Sequence, residues 1–128
     1  MIKETCRFSH SFCRESGVLT IRINGEIDHH NAVGMRGDMD KLIFDLMPST
    51  LALDLARVDF MDSSGLGLIM GRYSLISKLG KKMILLDPNP RTVKIIKLAG
   101  LDRMITIKST LSEGDKVRVK RKEKNNDK

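Results

Sequence analysis

A chain of 128 residues with 41% hydrophobic content holds enough apolar side chains for one core of ordinary size. Its formal charge is +7, but residues 116–128 carry seven basic and two acidic side chains, so everything before them holds only +2. A near-neutral body with 4% aromatics and no tryptophan argues against direct nucleic-acid binding, and the lack of a long apolar run excludes a membrane span and a secretory leader, so a cytoplasmic protein is expected.

Residues 5–14 are a weak strand candidate. Cys6 and Cys13 within it are separated by an odd number of positions, which puts them on opposite faces, and they read as two reduced, partly buried thiols. In residues 18–24, Leu19, Ile21 and Ile23 alternate with Thr20, Arg22 and Asn24, the pattern of a half-exposed strand. Glu15-Ser16-Gly17 joins the two as a hairpin. Gly25-Glu26-Ile27-Asp28 is read as leaving the strand, with Asp28 or Asn31 capping a helix that runs to about Met47. Met39, Leu42, Ile43 and Leu46 form its apolar stripe, while Gly34 and Gly37, each costing about 1 kcal/mol relative to alanine, weaken its first half. Pro48 stops it. The nearly continuous apolar run 51–56 predicts a strand covered on both faces, and 83–86 predicts another, ended by Asp87-Pro88-Asn89-Pro90. Between them a helix is expected over 64–79, closed by Gly80. A further helix over 91–99 ends at Gly100, and 104–107 reads as a last short strand.

Strands and helices in this order predict an α/β fold: a mixed, mostly parallel sheet with a leading hairpin and helices packed on it through right-handed crossovers. The domain spans 1–108, and 109–128 is expected to be a frayed or disordered basic tail.

The most informative stretch runs from Asp59 through Phe60-Met61-Asp62-Ser63-Ser64-Gly65-Leu66-Gly67 to Gly71-Arg72-Tyr73, where a buried parallel strand feeds a helix. Ser63 and Ser64 are suited to capping that helix, yet no Glu or Gln follows three residues after either, so there is no capping box. Gly67, Gly71 and Ser74 form a stripe of small residues that a second backbone could approach. A phosphate on a serine at this helix start would meet the positive end of the dipole and unpaired amides, and would add a charge of roughly −1.5 to −2 beside Asp62.

This run resembles the STAS family of anti-sigma factor antagonists, and its sporulation branch most closely. Gly25-Glu26-Ile27-Asp28-His29-His30 and Ala99-Gly100-Leu101 are similar to two further family blocks, so the likeness covers about residues 18–107. The resemblance implies a single STAS domain acting as a partner switch. Unphosphorylated, it binds an anti-sigma factor that is also an ATP-dependent serine kinase, and a sigma factor is released. Phosphorylation of the serine after the motif aspartate, Ser63 here, ends the contact, and a metal-dependent serine phosphatase restores it. Asp62, Ser64 and Gly65 would support the phosphosite, and Glu26, Asp28, Leu66, Gly67 and Arg72 are the expected partner contacts. No cofactor or metal is implied, since nucleotide belongs to the kinase. The segment 109–128 departs from the terminal helix with which the family usually closes.

Rival chemistry is poorly supported. The Gly-x-Ser-x-Gly elbow of a serine hydrolase is absent around Ser63, and adjacent His29 and His30 point about 100° apart on a helix without ligands to complete a zinc site. Gly65-Leu66-Gly67 lacks the Lys-Ser/Thr of a phosphate-binding loop. The alternative within the fold is a STAS module of another partner-switching, stress-response or transporter assembly. A nucleic-acid adaptor working through residues 116–128 would belong to a different class.

Overall fold

Five strands and three helices make up the computed structural model, which describes residues 6–110. β1 (Cys6–Cys13) and β2 (Val18–Ile27) form the leading antiparallel hairpin. β3 (Thr50–Met61), β4 (Lys82–Leu86) and β5 (Thr106–Lys108) add in parallel, giving the order β1-β2-β3-β4-β5. α1 (His29–Leu46), α2 (Ser63–Lys78) and α3 (Pro90–Leu98) are the three crossovers. Each steps to the next strand in the same direction, and right-handed connections of that kind place all three helices on one face. One continuous core supports this: Met39 and Ile43 of α1, Ile69 and Ile76 of α2 and Ile96 of α3 meet Leu19, Ile21, Leu51, Leu53 and Leu85 of the sheet.

The other face differs from the sequence expectation for β3. Leu51, Leu53 and Leu55 are fully buried, but Asp54 alternates with them on the opposite side and pairs with Arg22, Nε to Oδ2, at 3.0 Å. Apolar Ala52 is small enough to be covered by neighbouring strands, so a nearly continuous apolar run did not require helices on both faces.

Two strands are also longer than predicted. β2 continues through Gly25 and Glu26 to Ile27, and β3 runs on to Met61, because pairing resumes after register shifts at Arg22/Asn24 and Gly25/Glu26. Gly25, at φ 96°, supplies backbone that a side chain would disfavour at such an irregularity. The last strand starts at Thr106, since Leu101–Arg103 forms a 3-10 turn with Met104 as its cap. α1 is continuous despite its glycines: the structure places no atoms within 4 Å of a Cβ at Gly34 or Gly37. The expected basic tail, apart from Ser109 and Thr110, lies outside the described residues.

Cys13 is a free thiol at the end of β1 and is exposed rather than partly buried. Hydrogen bonding to the Ser16 hydroxyl, and then to the Ser16 backbone, lowers its pKa from the ordinary thiol value. A lowered pKa means more thiolate at a given pH. The alkylation of Cys13 by iodoacetamide should therefore rise at lower pH than for a free cysteine, and Ser16→Ala should move that profile upward. A profile unchanged by Ser16→Ala would remove the hydroxyl as the cause.

Candidate functional site

Parallel pairing brings together two blocks far apart in sequence. Glu26 aligns with Phe60 and Ile27 with Met61, and the Asp62 amide donates to the Ile27 carbonyl at 3.3 Å. α1 and α2 therefore begin side by side at the carboxyl end of the sheet, and each is capped by an aspartate.

At α1 the cap is Asp28. Its Oδ1 accepts from the Asn31 amide at 3.0 Å, while Asn31 Oδ1 accepts from the Asp28 amide at 3.0 Å, a reciprocal capping box. Asn31 Nδ2 also donates to the Glu26 carbonyl at 2.9 Å, which ties the helix start to the strand before it. Asp28, an expected partner contact, thus has a structural task. Asp28→Ala should cost about 1 kcal/mol and Asp28→Asn only a few tenths, read by denaturant titration. Equal losses in both variants would mean that the charge, not the acceptor oxygen, is what the fold uses.

At α2 the cap is Asp62 and not a serine. Its Oδ1 accepts from the Ser64 amide at 2.7 Å, and its carbonyl accepts from Gly65 at 2.9 Å and Leu66 at 3.4 Å. Ser63 is the first helical residue, with its side chain exposed. This corrects the expectation that Ser63 caps the helix, and it leaves fewer unpaired amides in the first turn than a serine cap would. Asp62 takes the Ser64 and Gly65 amides because β3 carries Met61 into the sheet, and the chain leaves extended geometry only after Asp62.

The remaining expected residues divide clearly. Gly65 is buried, and a Cβ there would lie 2.6 Å from the Met61 Cβ, so the glycine permits the tight turn from β3 into α2. Leu66 packs partly against the core, whereas Gly67 and Glu26 are exposed. Phe60 and Met70 add exposed apolar surface on the strand end and the outer side of α2.

Arg72 is not on this surface. It is 4% exposed and its Nε lies 2.8 Å from Asp40 Oδ1 of α1. That contact is ionic, its N–H being misdirected for a hydrogen bond, while Nη2 donates to Asp40 Oδ2 at 3.4 Å and Nη1 to the Leu68 carbonyl at 3.5 Å. Burial lowers the Arg72 pKa, Asp40 opposes that shift, and Arg36 adds to it. Arg72 therefore clamps α2 to α1 instead of meeting a partner.

Two residues escaped the sequence reading. Asn89 caps α3 through its Oδ1, which accepts from Thr92 at 2.8 Å, and its Nδ2 donates to the Val58 carbonyl at 2.9 Å, bracing the end of β3. The Asn89-Pro90 pair signals a helix start, but nothing local reveals the contact to β3. Arg36 lines a groove of about 220 Å³ between α1 and α2, with Ser64, Gly67 and Leu68 opposite. A larger hollow of about 700 Å³, between α3 and the end of β5, contains none of the expected site residues. Among the described residues, no helix is long and apolar enough to cross a membrane.

Comparison with known proteins gives the arrangement its relatives. The STAS domain family matches residues 13–114. The anti-sigma F factor antagonist of Paenibacillus polymyxa is 41% identical over 91 residues, which are 71% of this chain and 78% of that protein. The anti-sigma factor antagonist SpoIIAA in its unphosphorylated form superposes with a TM-score of 0.70 at 29% identity, over 91% of this chain and 100% of that one. The Bacillus cell fate determinant SpoIIAA in its phosphorylated form does so at 0.64 and 30% identity, over 88% and 100%. By that match over residues 13–114 and that identity, the chain belongs to the STAS domain family, among the anti-sigma factor antagonists.

Proposed function

We propose that this chain is an anti-sigma factor antagonist working in the cytoplasm as a binding regulator rather than an enzyme. Unphosphorylated, it docks on an anti-sigma factor with serine kinase activity and so frees a sigma factor. The kinase transfers the γ-phosphoryl group of ATP to Ser63 Oγ, releasing ADP and the hydroxyl proton, and the complex dissolves. A serine phosphatase hydrolyses the ester and resets the switch.

The observation that carries this reading is the exposed Ser63 hydroxyl on a helix whose cap is supplied by another residue, Asp62. The chain can gain or lose a phosphate there without losing the bond that starts α2. The neighbours suit a docking surface: Glu26, Phe60, Gly67 and Met70 are exposed around the same helix start. The modification adds charge and acceptor oxygens at its centre, where repulsion and desolvation oppose a partner.

The test is incubation with the cognate anti-sigma factor and ATP, followed by intact-mass measurement and calorimetry. One phosphate should be added and Ser63→Ala should accept none, with affinity lost on phosphorylation. Stoichiometric labelling of Ser63→Ala would move the acceptor elsewhere, and a phosphorylated chain that still binds would end the switch reading.

A further inference from the structure

Arg36 is a cation without a structural reason for its position. It makes no hydrogen bond or ion pair among the described residues, although Asp40, one turn onward on α1, is close to Arg72. Arg36 is a like charge to the buried Arg72 and adds to the lowering of the Arg72 pKa that burial begins. Arg36 is exposed at the edge of a groove, and no bond among the described residues uses it. Placement of that kind points to a ligand.

The groove it lines has a consistent character. His29, Val33 and Arg36 come from α1, and Ser64, Gly67 and Leu68 from α2, around a volume of about 220 Å³. Val33 is 50% exposed, and a Cβ at Gly67 would meet nothing within 4 Å, so at these two positions the walls are apolar and low. None of the lining side chains is acidic. Of the carboxylates near its ends, Asp28 and Asp62 cap their helices and Asp40 is paired with Arg72, which leaves Glu26 as the exposed one. The groove also continues directly into the surface around Ser63, which lies one helical turn before Gly67 on the same strip of α2.

We propose that this groove receives an acidic side chain of the anti-sigma factor, with Arg36 as its counter-ion and Val33 and Gly67 admitting its stem. The inference rests on the partner reading above and deepens it. It also gives the switch a specific mode of action. A phosphate on Ser63 enters the field of Arg36 from the end of the same strip, so it repels the incoming carboxylate and competes for its cation.

The experiment is calorimetry of the unphosphorylated full-length chain with the anti-sigma factor, comparing native protein with Arg36→Gln and Arg36→Glu. The charge reversal should weaken binding by about tenfold or more, and Arg36→Gln by less, with a shallower salt dependence than native. Melting temperatures of both variants should stay within a few degrees of the native protein, because Arg36 is exposed and makes no bond among the described residues. Affinity within twofold of native in both variants, while native protein binds, would overturn the Arg36 assignment alone. Absence of binding by the native protein would instead overturn the partner reading on which it stands.

Discussion

Asp40→Ala is expected to destabilise the protein by about 2–3 kcal/mol, while Arg72→Met should cost less than about 1 kcal/mol. The pair is asymmetric in burial: the Arg72 side chain is 5% exposed and that of Asp40 33%. Removing the carboxylate leaves a guanidinium under the α1–α2 seam with only the Leu68 carbonyl to face, and a guanidinium does not shed its proton to escape. Breaking a fully buried pair costs about 3–5 kcal/mol, and the lower figure here reflects the water that would reach Arg72 through the space Asp40 vacates. Removing Arg72 instead leaves a carboxylate that solvent already touches, and methionine fills part of the volume. The double variant should lie close to Arg72→Met alone. Denaturant midpoints at unchanged slope measure all three. A cost for Asp40→Ala below about 0.5 kcal/mol would show that the contact does not clamp the helices.

Ser63→Asp is expected to weaken the complex with the anti-sigma factor by about a hundredfold, roughly 2.7 kcal/mol, and Ser63→Ala to leave it within a few-fold of native. Stability of the free protein should change by no more than about 0.5 kcal/mol in either case, since Ser63 is exposed and Asp62 caps the helix. The start of α2 tolerates a negative charge on its own, the dipole contributing about 0.3–1 kcal/mol against the repulsion of Asp62. The penalty arises when a partner strips water from that charge. Calorimetry of complex and free protein separates the two effects. A variant that unfolds would indicate a structural serine, and one that binds normally would remove the electrostatic basis of the switch.

Much of this was legible before any coordinates. The alternation in β2, the Met39 and Ile43 stripe of α1 and the glycines after α2 and α3 each encode local geometry in a few neighbouring residues. The long end of β3 was not legible, because Arg57 and Asp59 interrupt the apolar pattern and the pairing there comes from β2, some thirty residues earlier. The cap of α2 was ambiguous for a different reason: Asp62, Ser63 and Ser64 can all cap a helix, and only the sheet decides where extended backbone stops. Arg72 was misjudged although its signal was present. It falls on the same helical stripe as Gly65, Leu68, Ile69 and Ile76, the buried side of α2. Periodicity pointed it inward, and its charge drew attention outward. Arg36 shows the converse limit, since α1 alone cannot reveal which helix will lie beside it.

The backbone bond from Asp62 to Ile27 fastens the segment that carries Ser63 to the strand next door. Anchored in that way, the first turn of α2 has no slack through which a new charge could pull on distant parts of the molecule. On the proposed reading the two chemical forms should be nearly superimposable, with the message carried by what the surface displays and read by contact, not by a change of shape.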